Sequence, residues 1–321
     1  MTEEILTLEN QPIIKHPSVE RYDEEGKPIF KKHIKDVNIL TKRETRADKI
    51  MFTSVFIIFL IQSITLLFPV FLMVVFGLEA EPPLPTEKFV DYSRGVHFEN
   101  FVDAFVDLDF NGTGFFGLLW NSIWITAVQT FFSVFMPSMT GYVMSKYKFR
   151  GREFIYGAVI FSMVIPIVGN TAAGLQLHAQ LGTWDTPIFA VLNSIGGFGA
   201  TFIVYYGFFK SVSWAYAEAT QIDGGGPFTI FFRVMLPQAM PIMMTYAITN
   251  SINYWNAYEQ ILLYMPSYPN ISAGLLMVKG DMEGHPTYYG ALFIAAIPTV
   301  TIFAVFANKI MGSISIGGLK G

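Results

Sequence analysis

Hydrophobic residues gather in six long stretches, near positions 51–76, 115–144, 153–169, 187–209, 236–264 and 288–311, separated by shorter polar segments. The first runs for 26 residues without a charged side chain, and a helix needs about 20 apolar residues to cross the hydrocarbon core of a bilayer. A secretory signal would be shorter, nearer the start and followed by a small-residue cleavage site, so 51–76 predicts a permanent membrane-spanning helix. The other five stretches extend the pattern. Pro137, Pro166, Pro241 and Pro298 fall inside or near the ends of these stretches, where neighbouring helices can satisfy the backbone groups that proline leaves unpaired. The pattern predicts an all-α integral membrane protein: a cytoplasmic tail at 1–50, then a domain of six transmembrane helices at 51–321.

Composition sharpens this picture through its unevenness. Only 14% of the 321 residues are charged, against about a quarter in soluble domains, yet residues 1–50 hold ten of the 21 Lys and Arg. With the N-terminus inside, Lys146, Lys148, Arg150, Arg152, Lys210, Arg233, Lys309 and Lys320 also fall on the inner side. Only Lys88, Arg94 and Lys279 are left outside, an asymmetry that the positive-inside rule reads as both termini cytoplasmic. The loop 77–114 with its acidic run EAEPPLPTE is then external, and the segment between spans four and five is cytoplasmic. A net charge of −4 gives no sign of nucleic-acid binding, and the absence of cysteine excludes a disulfide framework or thiolate metal site.

That cytoplasmic segment contains EATQIDGGGPFTIFFRVMLP, residues 218–237. Residue types in 214–223 favour a short helix with Ser213 as its N-cap. Gly224, Gly225 and Gly226 end it, since glycine accepts the left-handed conformation common just past a helix end. Pro227 suits the first turn of a second helix. The expectation is a helix–turn–helix across the mouth of two adjacent spans. By residue type alone, an ordinary loop with good turn chemistry reads the same way.

Glu218-Ala219-Thr220, Asp223-Gly224 and Leu236-Pro237 resemble the EAA loop of ABC importer permeases, with Thr220 the only departure from its spacing pattern. HFENFVDAF (97–105), WNS (120–122), GYVMSKYKFRGR (141–152), YWNAYEQ (254–260) and the ending GSISIGGLKG (312–321) are similar to segments of maltose-type sugar permeases, in the same order. The resemblance covers most of the chain. It implies a permease subunit of an ATP-driven, binding-protein-dependent sugar importer in the cell membrane, with a di- or oligosaccharide as substrate. It also implies a coupling helix docked on a cytoplasmic ATPase, pairing with a second homologous permease, two ATP-binding cassette subunits and an extracytoplasmic sugar-binding protein. Glu218 would meet a basic group on the ATPase. ATP and magnesium would sit in that partner, since this chain has no GxxxxGK[ST] phosphate cradle. It has no HExxH or GxSxG either, so no enzymatic activity and no bound cofactor or metal are expected of the chain itself.

A second signal lies in the fifth span. Thr245, Thr249, Asn253, Asn256 and Gln260 follow steps of 4, 4, 3 and 4, within roughly 80° of one another at about 100° per residue. As one helix face they would extend about 22 Å. Polar groups facing lipid are costly, so the face should meet the bundle or an aqueous path, where neutral donors and acceptors suit an uncharged polyhydroxylated substrate. Trp255 and Tyr258 offer flat surfaces for sugar rings. Hydrogen-bonded contact between spans explains the same pattern equally well.

Segment 265–289, rich in proline and glycine, predicts a structured but irregular external excursion. The resemblance implies that it touches the binding protein around Asp281, Gly284 and Pro286. Two other classes remain. A stand-alone secondary sugar or polyol carrier would need ionisable groups near the midplane, and none stands out. A receptor or scaffold gives no reason for the EAA spacing.

Overall fold

The computed structural model describes residues 19–22, 28–30, 46–80, 92–93, 95–110, 112–165, 169–282 and 284–314. Most of the expected tail, about a third of the loop 77–114 and the last seven residues, Lys320 among them, lie outside the described residues. The chain divides into two units, Met1–Leu66 and Leu67–Gly321. The first contains an antiparallel pairing of β1 (Val19–Tyr22) with β2 (Pro28–Phe30), and most of α1 (Arg46–Gly77).

The second unit is helical apart from the two-residue strands β3 (Asp109–Phe110) and β4 (Thr113–Gly114). After the end of α1 come α2 (Glu99–Asp107), α3 (Phe115–Lys146), α4 (Arg152–Val164), α5 (Asn170–Gln180), α6 (Ile188–Ser194), α7 (Ala200–Ser211) and α8 (Ala215–Ile222). A single turn, α9 (Pro227–Thr229), leads through a π-helical segment (Ile230–Met235) into α10 (Leu236–Trp255). Helices α11 (Tyr258–Tyr264), α12 (Ile271–Met282) and α13 (Pro286–Ile314) complete the chain.

Helix α3 is the spine, and apolar clusters pack against it towards both ends. Phe115, Leu118 and Ile125 near its start pack with residues of α2, α6, α11, α12 and α13, such as Ala104, Phe189, Ile261, Leu275 and Ala291. Tyr142 near its end packs with Tyr205 and Phe209 of α7, Ala217 of α8 and Ile230, Phe231 and Met235 of the π segment. Helix α7 approaches closely because Gly141 has no side chain: a Cβ there would lie 2.7 Å from that of Tyr205. Asn100 closes the end of α1, its Nδ2 donating to the carbonyls of Gly77 (2.9 Å) and Glu79 (2.7 Å), which the helix itself leaves open.

Among the described residues, four helices are long and apolar enough to cross a membrane: Asp48–Gly77, Phe115–Lys146, Pro227–Trp255 and Pro286–Val305. The expected third and fourth stretches do not form single long helices. The third yields α4, only 13 residues long. The fourth, 187–209, is cut into α6 and α7 by the sequence IGGFG at 195–199. Glycine destabilises helix interiors, and Gly199 has a φ of 134°, outside the helical range altogether. Thr140 Oγ1 on α3 donates to the carbonyl of Gly197 inside this break, giving the opened backbone a partner.

Candidate functional site

Helix α8 is held to the bundle by one residue. Ala217 is fully buried in the core around Tyr142 and Phe231, while Tyr216, Glu218, Ala219, Gln221 and Ile222 are exposed. Ser213 is not the cap itself; Trp214 holds that position, and Ser213 Oγ accepts from the backbone of Ala215 at 3.3 Å. The helix ends with backbone donations from Asp223 to Ala219, Gly224 to Gln221 and Gly225 to Thr220. Gly224 takes φ +82°, the left-handed conformation expected of it. Gly225 is required for a different reason: a Cβ there would lie 2.6 Å from Thr220 Cγ2 and 2.9 Å from the Thr220 carbonyl oxygen. Thr220 turns its hydroxyl back onto the Tyr216 carbonyl at 2.8 Å.

The expected second short helix is not a separate element. From Pro227 the backbone stays helical through the π segment and α10 to Trp255. The widening just before Pro237 follows from that residue: proline has no N–H for the carbonyl four residues back, and its ring crowds that carbonyl. Gln238 Nε2 fills in beside it, donating to the carbonyl of Val234 at 3.0 Å. Leu236 is half-buried and Pro237 exposed in the first turn of α10.

The stripe predicted on span five does not run along one helix. Helix α10 stops at Trp255, whose carbonyl is taken by Ser272 Oγ (2.9 Å) and Asn270 Nδ2 (3.4 Å) in place of a helical N–H. Asn256 lies in the turn, and Gln260 belongs to α11. The Trp255 indole is largely core, 5% exposed, with Nε1 donating to the Ala295 carbonyl, and it also lines an apolar cavity with Leu119, Ile123 and Pro298. Thr245 and Thr249 turn their hydroxyls onto the carbonyls of Pro241 and Thr245, each at 3.0 Å. Thr249, Asn253 and Asn256 are exposed.

The polar concavity lies on the neighbouring face. Ser133, Asn193, Ser194, Thr201, Asn250 and Tyr254 surround a cleft of about 350 Å³ at the glycine break between α6 and α7. Asn250 Nδ2 donates to Ser133 Oγ at 2.9 Å. On α3, Ser122, Thr126, Gln129 and Ser133 share one face at steps of 4, 3 and 4. Gln129 is fully buried, and neither its amide oxygen nor its nitrogen has a protein partner among the described residues. The bundle therefore has apolar cores at both ends of α3 and a polar middle. Sequence reasoning missed Asn193, Thr201, Asn250 and Tyr254; the only available signal was GGFG, which interrupts an apolar stretch beside an asparagine.

Segment 265–289 is also more regular than expected. Nearly half of it is α12, whose Ile271, Ala273, Leu275 and Val278 are buried, with Asn270 Oδ1 accepting from the Ala273 backbone as an N-terminal cap. Asp281 lies in the last turn of α12, Gly284 is exposed at φ +88°, and Pro286 is buried at the start of α13. Between α12 and α13 the His285 backbone N–H donates to the Met282 carbonyl at 3.0 Å.

Long apolar helices around a polar middle make this a multi-pass membrane protein of the transporter class. Residues 138–314 match the family model described as binding-protein-dependent transport system inner membrane component, and the chain belongs to that family. It is a permease component and not an enzyme. The diacetylchitobiose uptake system permease protein of Streptomyces coelicolor is 29% identical over 242 residues, covering 70% of this chain and 74% of that protein. The arabinooligosaccharides transport system permease protein of Bacillus subtilis is 25% identical over 275 residues, 82% of this chain and 94% of that one. A crystal structure of a bacterial ABC transporter involved in import of the acidic polysaccharide alginate has the same fold, with a TM-score of 0.65 and 17% identity, covering 82% of this chain and 98% of that chain.

Proposed function

We propose that this chain is one of two homologous permeases in an ATP-driven importer of neutral oligosaccharides, with six membrane crossings and both termini cytoplasmic. The crossings are α1, α3, α4 with the residues that follow it, the broken pair α6–α7, α10–α11 and α13. Helix α8 is the coupling helix, and the polar cleft at the α6–α7 break is this chain's share of the sugar path. The observation that carries the reading is mechanical: α8 joins α7 on one side and, through the π segment, α10 on the other, and those two elements line the cleft. Movement imposed on α8 by an ATPase reaches both cleft walls. Broken helices lining a cavity are a recurring way to place polar backbone at membrane depth. The cleft residues named are amides and hydroxyls, and the relatives that transport diacetylchitobiose and arabinooligosaccharides carry sugars by name. Exposed Thr249, Asn253 and Asn256 would then face the second permease or the aqueous path between the two chains. Glu218 would pair with a basic group of the ATPase, and the exposed turn at Gly284 would meet the binding protein.

The test uses the transporter assembled in native membranes. Losing a charged hydrogen bond at a buried interface costs about 2–5 kcal/mol. Glu218→Ala should therefore lower ATPase co-purification and uptake together, while Asn250→Leu should lower uptake and leave ATPase recovery unchanged. Uptake that survives removal of the ATPase and stops when an ion gradient is dissipated would establish a secondary carrier instead.

A further inference from the structure

At the end of α10 opposite α8, the turn between α5 and α6 is fastened to the end of α11. Trp184 Nε1 donates to the Leu263 carbonyl (3.0 Å), and the Asp185 backbone N–H donates to the Tyr264 carbonyl (2.8 Å). Both acceptors lie in the last turn of α11, where a helix has no donors of its own to offer. In return, Asp185 Oδ1 accepts from the Ser267 backbone (2.8 Å) and Oδ2 from the Ser267 hydroxyl (2.7 Å). Asp185 has φ +55°, the only positive φ at a non-glycine among the described residues. Aspartate is one of the few side chains that tolerate this region. The Tyr264 ring stacks on Phe189 (4.7 Å) and meets His178 edge-on (5.5 Å), so side chains of both arms of the α5–α6 turn close around it.

The connectivity gives this junction a consequence. From α8 one arm runs back through α7, the glycine break and α6 to Asp185. The other runs forward through the π segment, α10 and α11 to Tyr264 and Ser267. The two arms enclose the polar cleft: Asn193 and Thr201 stand on the first, Asn250 and Tyr254 on the second. We propose that Asp185 is a positioning residue whose bonds to Ser267 and Tyr264 latch the two arms together at the far end, holding the cleft shut there until α8 moves both arms. This rests on the reading of the cleft as the sugar path and of α8 as the coupling helix.

The chain has no cysteine, so Ser194→Cys supplies a single thiol at a buried position of the cleft lining. Its modification rate by a membrane-impermeant thiol reagent applied from the α5–α6 side is measured in the assembled transporter, without sugar, nucleotide or binding protein. Losing two hydrogen bonds to a charged acceptor shifts an opening equilibrium about tenfold or more, so Asp185→Ala should raise the rate by about that factor. Asp185→Gly relieves the backbone but breaks the same bonds, and should match Asp185→Ala. Asp185→Asn keeps an acceptor for the Ser267 backbone and should remain near the starting rate. Should Asp185→Ala fail to assemble, Ser267→Ala, which removes one bond, carries the test with a smaller increase. Equal rates in all assembled variants, or an increase in Asp185→Asn equal to that in Asp185→Ala, would overturn the latch. Sugar uptake by the unmodified transporter is read separately, so failure of the transport assignment is distinguishable from failure of the latch.

Discussion

Gly225 sits where a side chain has no room, folded under Thr220 at the end of α8. Gly225→Ala should destabilise this turn by about 1–3 kcal/mol, the usual cost of overpacking. The double variant with Thr220→Ala should recover part of that loss, because it removes the methyl but not the carbonyl oxygen. Thermal unfolding of the purified complex followed alongside uptake reads both effects; no loss in the single variant would mean that the turn opens freely. At neighbouring Gly224 the constraint is φ rather than space, and it was legible beforehand, since three consecutive glycines after a helical run mark a left-handed end. The crowding at Gly225 was not legible, because it depends on where the Thr220 side chain lies once α8 is formed. Nor was Asp185: a positive φ at an aspartate shows no trace until the 82-residue separation from Ser267 is closed by folding.

Among elements, the π segment is the most informative departure from expectation. Sequence reading placed a short independent helix after Pro227, whereas the backbone continues into α10. Pro237 explains why the ladder widens and gives a handle on it. Pro237→Ala restores the missing donor and should let the segment tighten towards α-helix, turning α8 relative to α10. The expected outcome is retained membrane insertion with reduced coupling, seen as ATPase activity that persists while uptake falls. Unchanged uptake would show that the widened turn transmits nothing. The other elements divide by length. The stretches at 115–144 and 288–311 became single long helices in α3 and α13, as read. The stretches at 187–209 and 236–264 broke at IGGFG and at Trp255, where side chains from α3 and α12 supply hydrogen bonds that the helix gives up.

For the whole molecule, the charge asymmetry makes a prediction that thiol chemistry can check in this cysteine-free chain. Lys148→Cys and Arg150→Cys should react with impermeant reagent only from the cytoplasmic side, and Thr183→Cys only from the opposite side. Labelling of all three from one side would overturn the proposed orientation. Apolar stretches, basic residues and motif spacing together determined the class of protein, because a bilayer imposes length and charge rules that act on sequence directly. Tertiary structure alone decided where the polar groups converge. The stripe Thr245–Gln260 followed helical arithmetic, but that arithmetic holds only while the helix does, and α10 ends at Trp255. The cleft instead draws Asn193 and Thr201 from one arm, Asn250 and Tyr254 from another and Ser133 from the spine. No periodicity links these residues. What brings them together is a glycine break, a helix packed closely on Gly141 and the crossing of α3 by its neighbours, all consequences of packing between segments far apart in the chain.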